Sequence, residues 1–149
     1  MRSSRVDHGC VLDSSAALAL TLDEPGAAAV ARLIAAQASR RARLVAPLLF
    51  DVECAGGLVK AVRRRRLDAA RALDDLLDLL DLPVERLQSP AYVFNGLGLA
   101  LKYGISAYDA VYLALAVGER LPLVTADARL VRALAGSPHT VLHLDDVEL

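Results

Sequence analysis

Four acidic residues stand where a chain can turn them into a reaction centre. Asp13 ends the apolar run Cys10-Val11-Leu12, and Glu53 lies inside a long helical stretch. Asp109 falls in the first turn of a helix that begins at Ser106, and Asp127 follows the run Leu121 to Thr125 and precedes another helix. In an open parallel sheet, the carboxyl ends of the strands and the starts of the following helices share one edge, where ligands bind. Asp13 and Asp127 are therefore expected as neighbours, with Asp109 within reach. Carboxylates gathered at one edge repel unless protons or a cation intervene. Hard oxygen donors with water left over suit magnesium or manganese. Each acid also has a plainer reading. Asp13 and Asp127 can serve as N-caps. Ser106-x-x-Asp109 has the form of a capping box with Asp in place of Glu. Glu53 can be a solvated helix residue. Taken singly the plain readings are the stronger; taken together they require four coincidences at one edge.

The elements that must position these residues follow from the apolar pattern. Cys10-Val11-Leu12 reads as a buried strand. Helices are expected over 14–22 and 27–39, with Val30, Leu33 and Ile34 on one face of the second. Arg43 to Ala46 is a second strand, stopped by Pro47, which suits the first turn of the next helix. That helix runs over 48–66 and ends in Arg63-Arg64-Arg65-Arg66. Another covers 68–80, with Leu73, Leu76, Leu77 and Leu80 at helical spacing and a polar face of Asp74, Asp75, Asp78 and Asp81. Residues 83–87 form a short strand. Residues 90–103 form a helix that Gly104 closes. A helix over 106–119, a strand over 121–125, a short helix over 128–135 and a strand over 140–144 complete the chain. Strands alternating with helices imply an α/β fold, a central mainly parallel sheet with helices on both faces.

Composition sets the bounds. The 149 residues are 55 % apolar, 23 % charged and carry a net charge of −1, enough apolar material for one core and too much for a disordered chain. A single domain over 1–149 is expected. The chain lacks the overall basicity of many nucleic-acid binders, so any polyanion must be held by a local patch, a bound cation or a partner. Cys10 and Cys54 exclude a disulfide scaffold, and no CxxC pair points to zinc. No apolar run is long enough to span a bilayer, and no apolar signal core follows the basic start, so a cytoplasmic protein without membrane contact is expected.

At this point the sequence resembles a known family. Val11-Leu12-Asp13-Ser14-Ser15-Ala16, then Ala46-Pro47 with Glu53 six residues on, then Ser106-Ala107-Tyr108-Asp109-Ala110 and Leu123-Val124-Thr125-Ala126-Asp127 are similar to the motifs of the PIN-domain nucleases, in particular the VapC-type toxins of bacterial toxin–antitoxin pairs. The match covers about residues 10 to 145. The resemblance implies a PIN-like three-layer sandwich and a magnesium- or manganese-dependent endoribonuclease with RNA as substrate. It implies Asp13 and Asp109 as the firmest metal ligands, Glu53 and Asp127 binding a second metal or orienting water, and Thr125 supporting the site. It implies a cognate VapB-type antitoxin and a homodimer. One departure stands out: three residues after the glutamate, where many relatives carry asparagine, this chain has Gly56, followed by Gly57.

Two alternatives stay open here. One is a PIN-type module that binds RNA or protein without cutting. The other is a phospho-accepting receiver, which needs a lysine after a late strand; Lys60 and Lys102 are the only lysines and neither sits there. Asp51 shares the helix of Glu53, but two positions differ by about 200° around a helix, so only one of them faces the site. The motif selects Glu53; periodicity alone does not. Arg63 to Arg66 reads first as a solvated helix end facing the acidic 74–81 stretch, and second as an RNA or antitoxin contact. Tyr92, Phe94, Tyr103, Tyr108 and Tyr112 read as core or dimer packing before base stacking. For the homodimer, the 27–36 helix and the 92–112 stretch are the expected contributors. The antitoxin is expected to lay a C-terminal arginine or lysine among the four acids, where an unoccupied carboxylate pocket attracts a guanidinium.

Overall fold

The computed structural model describes residues 6–148. Residues 1–5, with the basic start of the chain, and residue 149 lie outside that description. Five strands form one sheet in the order β3-β2-β1-β4-β5, with every neighbouring pair parallel. They are β1 (Gly9–Leu12), β2 (Arg43–Pro47), β3 (Glu85–Leu87), β4 (Leu123–Thr125) and β5 (Val141–His143). The helices are α1 (Ser14–Thr21), α2 (Ala27–Ala38), α3 (Leu49–Arg63), α4 (Ala69–Leu80), α5 (Pro90–Tyr103), α6 (Ala107–Glu119) and α7 (Ala128–Ala133).

The sheet is built outward from its centre. β1 is buried along its whole length, as a strand covered on both faces must be. From β1 the chain steps to β2 and then β3. It then returns across the sheet to β4 on the other side of β1, and on to β5. Right-handed crossovers put α1–α4 on one face and the helices of the return path on the other. In keeping with this, α1 packs on α2 and α3, α3 packs on α4, and α5 packs on α6, which crosses β1 and β2. The direction of winding reverses between β1 and β4. A crevice opens at such a reversal, at the carboxyl ends of the strands.

Local signals hold the frame in place. Gly9 sits at φ +115°, and a Cβ there would run into the backbone of Arg43 in β2. Gly104 takes φ +66° to close α5, as its position predicts. Ser89 caps the start of α5 through the Ala91 N–H, with Pro90 in the first turn.

Three expectations are corrected. Pro47 is the last residue of β2, paired with Leu87, rather than part of the next helix. As the strand's end residue it needs no further ladder N–H. Val30 and Leu33 of α2 are fully buried in the core, so the 27–36 helix has no apolar face to offer a second copy. α4 does not sort its faces cleanly: Ala72 and Leu76 pack against the core and Asp74 and Asp78 are exposed, but the rest of the pattern is crossed. Leu73, Leu77 and Leu80 face out, while Asp75 and Leu79 are buried. Asp75 takes Arg71 as its ion-pair partner at 2.9 Å. Among the described residues, no helix is long and apolar enough to cross a membrane.

Candidate metal-binding acidic site

The reversal between β1 and β4 positions the first part of the site. Asp13 follows β1 directly and Thr125 ends β4, and the two strands pair through Leu12 and Val124. The Thr125 hydroxyl donates to Asp13 Oδ2 at 2.7 Å, and the Ser15 hydroxyl donates to the same oxygen at 2.6 Å. Each hydroxyl has one proton, now spent on Asp13, so each is left as an acceptor. They use that capacity on the chain entering α7. The Ala126 N–H donates to Ser15 Oγ and the Asp127 N–H to Thr125 Oγ1, both at 3.0 Å. The result is a closed network that fixes Asp13 and delivers Asp127 beside it. Asp13 is only 5 % exposed. It occupies the position before α1, yet its side chain makes no capping bond. The plain capping reading fails for Asp13.

Asp109 and Glu53 reach the crevice from helices on opposite faces of the sheet. The Asp109 N–H is held by the Ser106 hydroxyl at 3.1 Å, which caps α6. Glu53 lies in the second turn of α3, where Oε1 is buried without a hydrogen-bond partner. The Tyr112 hydroxyl nearby is buried and equally without one. Asp127 does what the plain reading expects: Oδ1 caps α7 through the Arg129 N–H at 2.8 Å, with the Arg129 side chain at 3.7 Å. Asp51 points elsewhere and pairs with Arg86 at 2.9 Å, so α3 presents Glu53 alone to the site.

The charges feel one another. Burial, then repulsion from Asp13 and Asp109, lifts Glu53 to about 7. Burial raises Asp13 despite its hydroxyl donors, and Asp109 adds to the rise. Asp109 is raised by burial first and by Asp127 next. The four expected acids are thus brought to one edge and coupled in series. Among the described residues, no group of three or more His, Cys, Asp or Glu is placed to hold a metal ion. The donor set nonetheless fits a hard divalent cation. All donors are carboxylate oxygens, one of them buried and unpartnered. Three of the carboxylates are pushed toward protonation by burial and mutual repulsion, which a cation would relieve.

Some neighbours escaped the sequence reading. Ser15 acts on Asp13 as strongly as Thr125 does; its place two residues after an acid at a helix start is the signal that could have found it. Tyr112 carried no such signal. Gly57 packs against Leu18 of α1 and leaves no room for a side chain, whereas a Cβ at Gly56 would meet open space. Close packing therefore explains Gly57 and not Gly56. His139 and His143 stand four apart but form no metal pair. His139 sits edge-on to Tyr103, and the His143 ring contacts the Ala126 carbonyl.

Thr125→Val tests the network. It strips Asp13 of a donor and the Asp127 N–H of its acceptor inside a buried site. A loss of about 1–3 kcal/mol in urea unfolding is expected, with Thr125→Ser close to the parent. An unchanged midpoint for the valine variant would contradict the network's role.

Comparison with known proteins places this geometry. The PIN domain family matches residues 10–135. Ribonuclease VapC12 of Mycobacterium tuberculosis is 37 % identical over 123 residues, covering 83 % of this chain and 90 % of that protein. Ribonuclease VapC9 of the same organism is 41 % identical, covering 80 % of this chain and 87 % of its own. Among solved structures, PAE2754 from Pyrobaculum aerophilum superposes with a TM-score of 0.69 at 25 % identity, covering 93 % of this chain and 91 % of that one. A toxin–antitoxin complex from Klebsiella pneumoniae gives 0.64 at 18 % identity, covering 91 % and 98 %, a likeness of fold. With a parallel sheet whose winding reverses beside four coupled acids, and with this extent of match, the chain belongs to the PIN-domain family, among the VapC ribonucleases.

Proposed function

We propose that the chain is a magnesium- or manganese-dependent endoribonuclease and the toxin of a toxin–antitoxin pair. The observation that carries this reading is the set of coupled carboxylates with the unpartnered Glu53 oxygen, in a chain akin to VapC ribonucleases. Asp13 and Asp109 would hold the cation, with Glu53 and Asp127 binding a second or orienting water. A bound divalent ion lowers the pKa of its water and offsets charge building on phosphate oxygens. The chain's own part is to keep the donors in place. Ser15 and Thr125 lock Asp13, Ser106 anchors the turn of Asp109, and α3 holds Glu53 out of bulk water. Incubating the purified protein with RNA in magnesium or manganese, with and without EDTA, tests this. Cleavage that needs the metal is expected. Cleavage indifferent to EDTA removes the metal reading, and no cleavage of any RNA removes the nuclease reading.

The partner surfaces follow from apolar side chains left outside. An apolar cavity of about 340 Å³ runs between α3 and α4, lined by Leu58, Val59, Val62, Leu73 and Leu76. With the outward Leu73, Leu77 and Leu80 it suits an amphipathic segment of an antitoxin. An antitoxin arginine at the four acids would complete the block on the site. The toxin–antitoxin complexes that share this fold support that partner.

α5 exposes Val93, Phe94, Leu97 and Leu101, with Phe94 80 % and Leu101 78 % exposed. A continuous apolar stripe of this kind suits self-association, and we assign the homodimer contact to it. Tyr112 is buried and Tyr92 is tied to Glu119, so of the aromatic stretch Phe94 and Tyr108 remain outside. The double variant Phe94→Glu/Leu101→Glu is expected to turn a dimer into a monomer by light scattering without lowering the melting temperature. A parent that is already monomeric at tens of micromolar would refute the assignment.

A further inference from the structure

The arginine run at the end of α3 does not act as one solvated group, and it does not face the acids of α4. Arg66 crosses to Glu24 at 2.7 Å, while Arg63 lies along the apolar cavity between α3 and α4. Arg64 lines a second cavity of about 620 Å³, of mixed polar and apolar lining. Lys60, Arg64 and Arg129 line it beside the paired Arg66 and Glu24, together with Ser15 and Asp127 of the acidic site. Among the described residues, neither the Lys60 nor the Arg64 side chain has an ion-pair or hydrogen-bond partner.

α3 arranges these groups on one face. Glu53, Gly57, Lys60 and Arg64 are spaced by four, three and four residues, so they share one side of the helix. The two cations then lie about 10 Å and about 16 Å along the axis from Glu53. Lys60 is near enough for its charge to act on Glu53. Gly57, pressed against Leu18, keeps the floor between them low. Like charges at i and i+4 repel in the free protein. The negative end of the α3 dipole accounts for Arg64 in part, but not for its sharing a cavity with Arg129 from α7.

We propose that Lys60 and Arg64, with Arg129 opposite, form a track for the phosphate backbone of single-stranded RNA leading into the acidic site. This deepens the nuclease reading above and rests on it. It also accounts for how a chain of net charge −1 holds a polyanion: the cations are local and aligned with the cutting edge. Phosphate contacts position a strand without reading its bases. The track therefore contributes to affinity across sequences rather than to choice among them.

The test compares the parent with Lys60→Gln/Arg64→Gln and with Arg32→Gln, which removes an exposed cation on α2 that does not line the cavity. The readouts are steady-state cleavage of RNA and anisotropy binding of a fluorescent oligouridylate in Asp109→Asn backgrounds, over a salt series. The double variant is expected to raise KM and weaken binding about tenfold with kcat nearly unchanged. The slope of log affinity against log salt should flatten by about 1.4, since single strands lose about 0.7 per contact. Arg32→Gln should leave both readouts at parental values. Lys60→Arg/Arg64→Lys should restore them. Cleavage by the parent with the double variant indistinguishable from Arg32→Gln overturns the track and leaves the nuclease reading standing. Binding that depends on Lys60 and Arg64 in a parent that never cuts keeps the track and removes the nuclease. A double variant that loses only antitoxin binding assigns the cavity to an acidic antitoxin segment and overturns the proposal.

Discussion

Asp109→Asn is expected to lower metal-dependent RNA cleavage by at least about 100-fold, the upper end of what loss of a supporting group costs, while the folded structure persists. Asparagine keeps the shape of the side chain, and the bond from the Asp109 N–H to Ser106 is a backbone bond that survives the change. One like charge leaves the cluster, so the metal-free variant should melt at or slightly above the parent's temperature. The contrast comes when metal is added. A divalent cation at about 100 times its Kd stabilises a folded protein by about 2.7 kcal/mol, and the variant should forfeit most of that gain. Asp13→Asn should lose activity likewise, through a site where Ser15 and Thr125 both donate. Melting curves with and without manganese, beside an RNA-cleavage gel, check both. Full metal-dependent cleavage by Asp109→Asn would remove it from the ligand set.

Glu53 makes the metal-free protein less stable as pH rises. Its folded pKa is about 7 against an ordinary 4.5, with burial as the main cause. Between those values the folded state keeps a proton that the unfolded chain has released. The unfolded state then binds fewer protons, and stability falls as pH increases through the window. Asp13 and Asp109, also raised, act in the same direction. His139 acts in the opposite one, because burial and then Lys102 lower it. Glu53→Gln separates the two effects. The difference in melting temperature between variant and parent should grow from pH 5 to pH 8 in EDTA. With saturating manganese the parent should instead gain stability as the carboxylates deprotonate and bind. A parent–variant difference that stays flat with pH in EDTA would mean Glu53 is not held in this environment.

Much of this site was legible because the acids sit at punctuation marks in the apolar pattern. Leu12-Asp13 and Thr125-Ala126-Asp127 mark strand ends, and Ser106 with Asp109 marks a helix start; such marks survive without tertiary knowledge. Glu53 was a different case. Nothing in its own helix distinguishes it from Asp51, and the choice is made by Arg86, which arrives from β3 to claim Asp51. α4 shows a stronger limit. Its leucine and aspartate faces are clearly separated in sequence, but separation does not say which face turns inward. Asp75 turns inward beneath an exposed Arg71, and Leu73, Leu77 and Leu80 face out while Leu76 and Leu79 pack inward. The same reason explains the 27–36 helix, where a good apolar stripe belonged to the core. The four consecutive arginines likewise looked like one feature and proved to be several, because 100° per residue sends neighbours to different surroundings.

The placement of β4 beside β1 has a consequence for how the protein is made. Asp13 is secured by Thr125, a partner 112 positions further along the chain. During synthesis from the N-terminus the early segments emerge first, at about 5–20 residues per second. β1, β2 and β3 can align while β4 is still inside the ribosome, but the crevice has only one wall until β4 arrives. Asp109 and Asp127 are absent for most of that time as well. The four-acid edge is thus incomplete until Asp127 has been added and β4 has paired with β1.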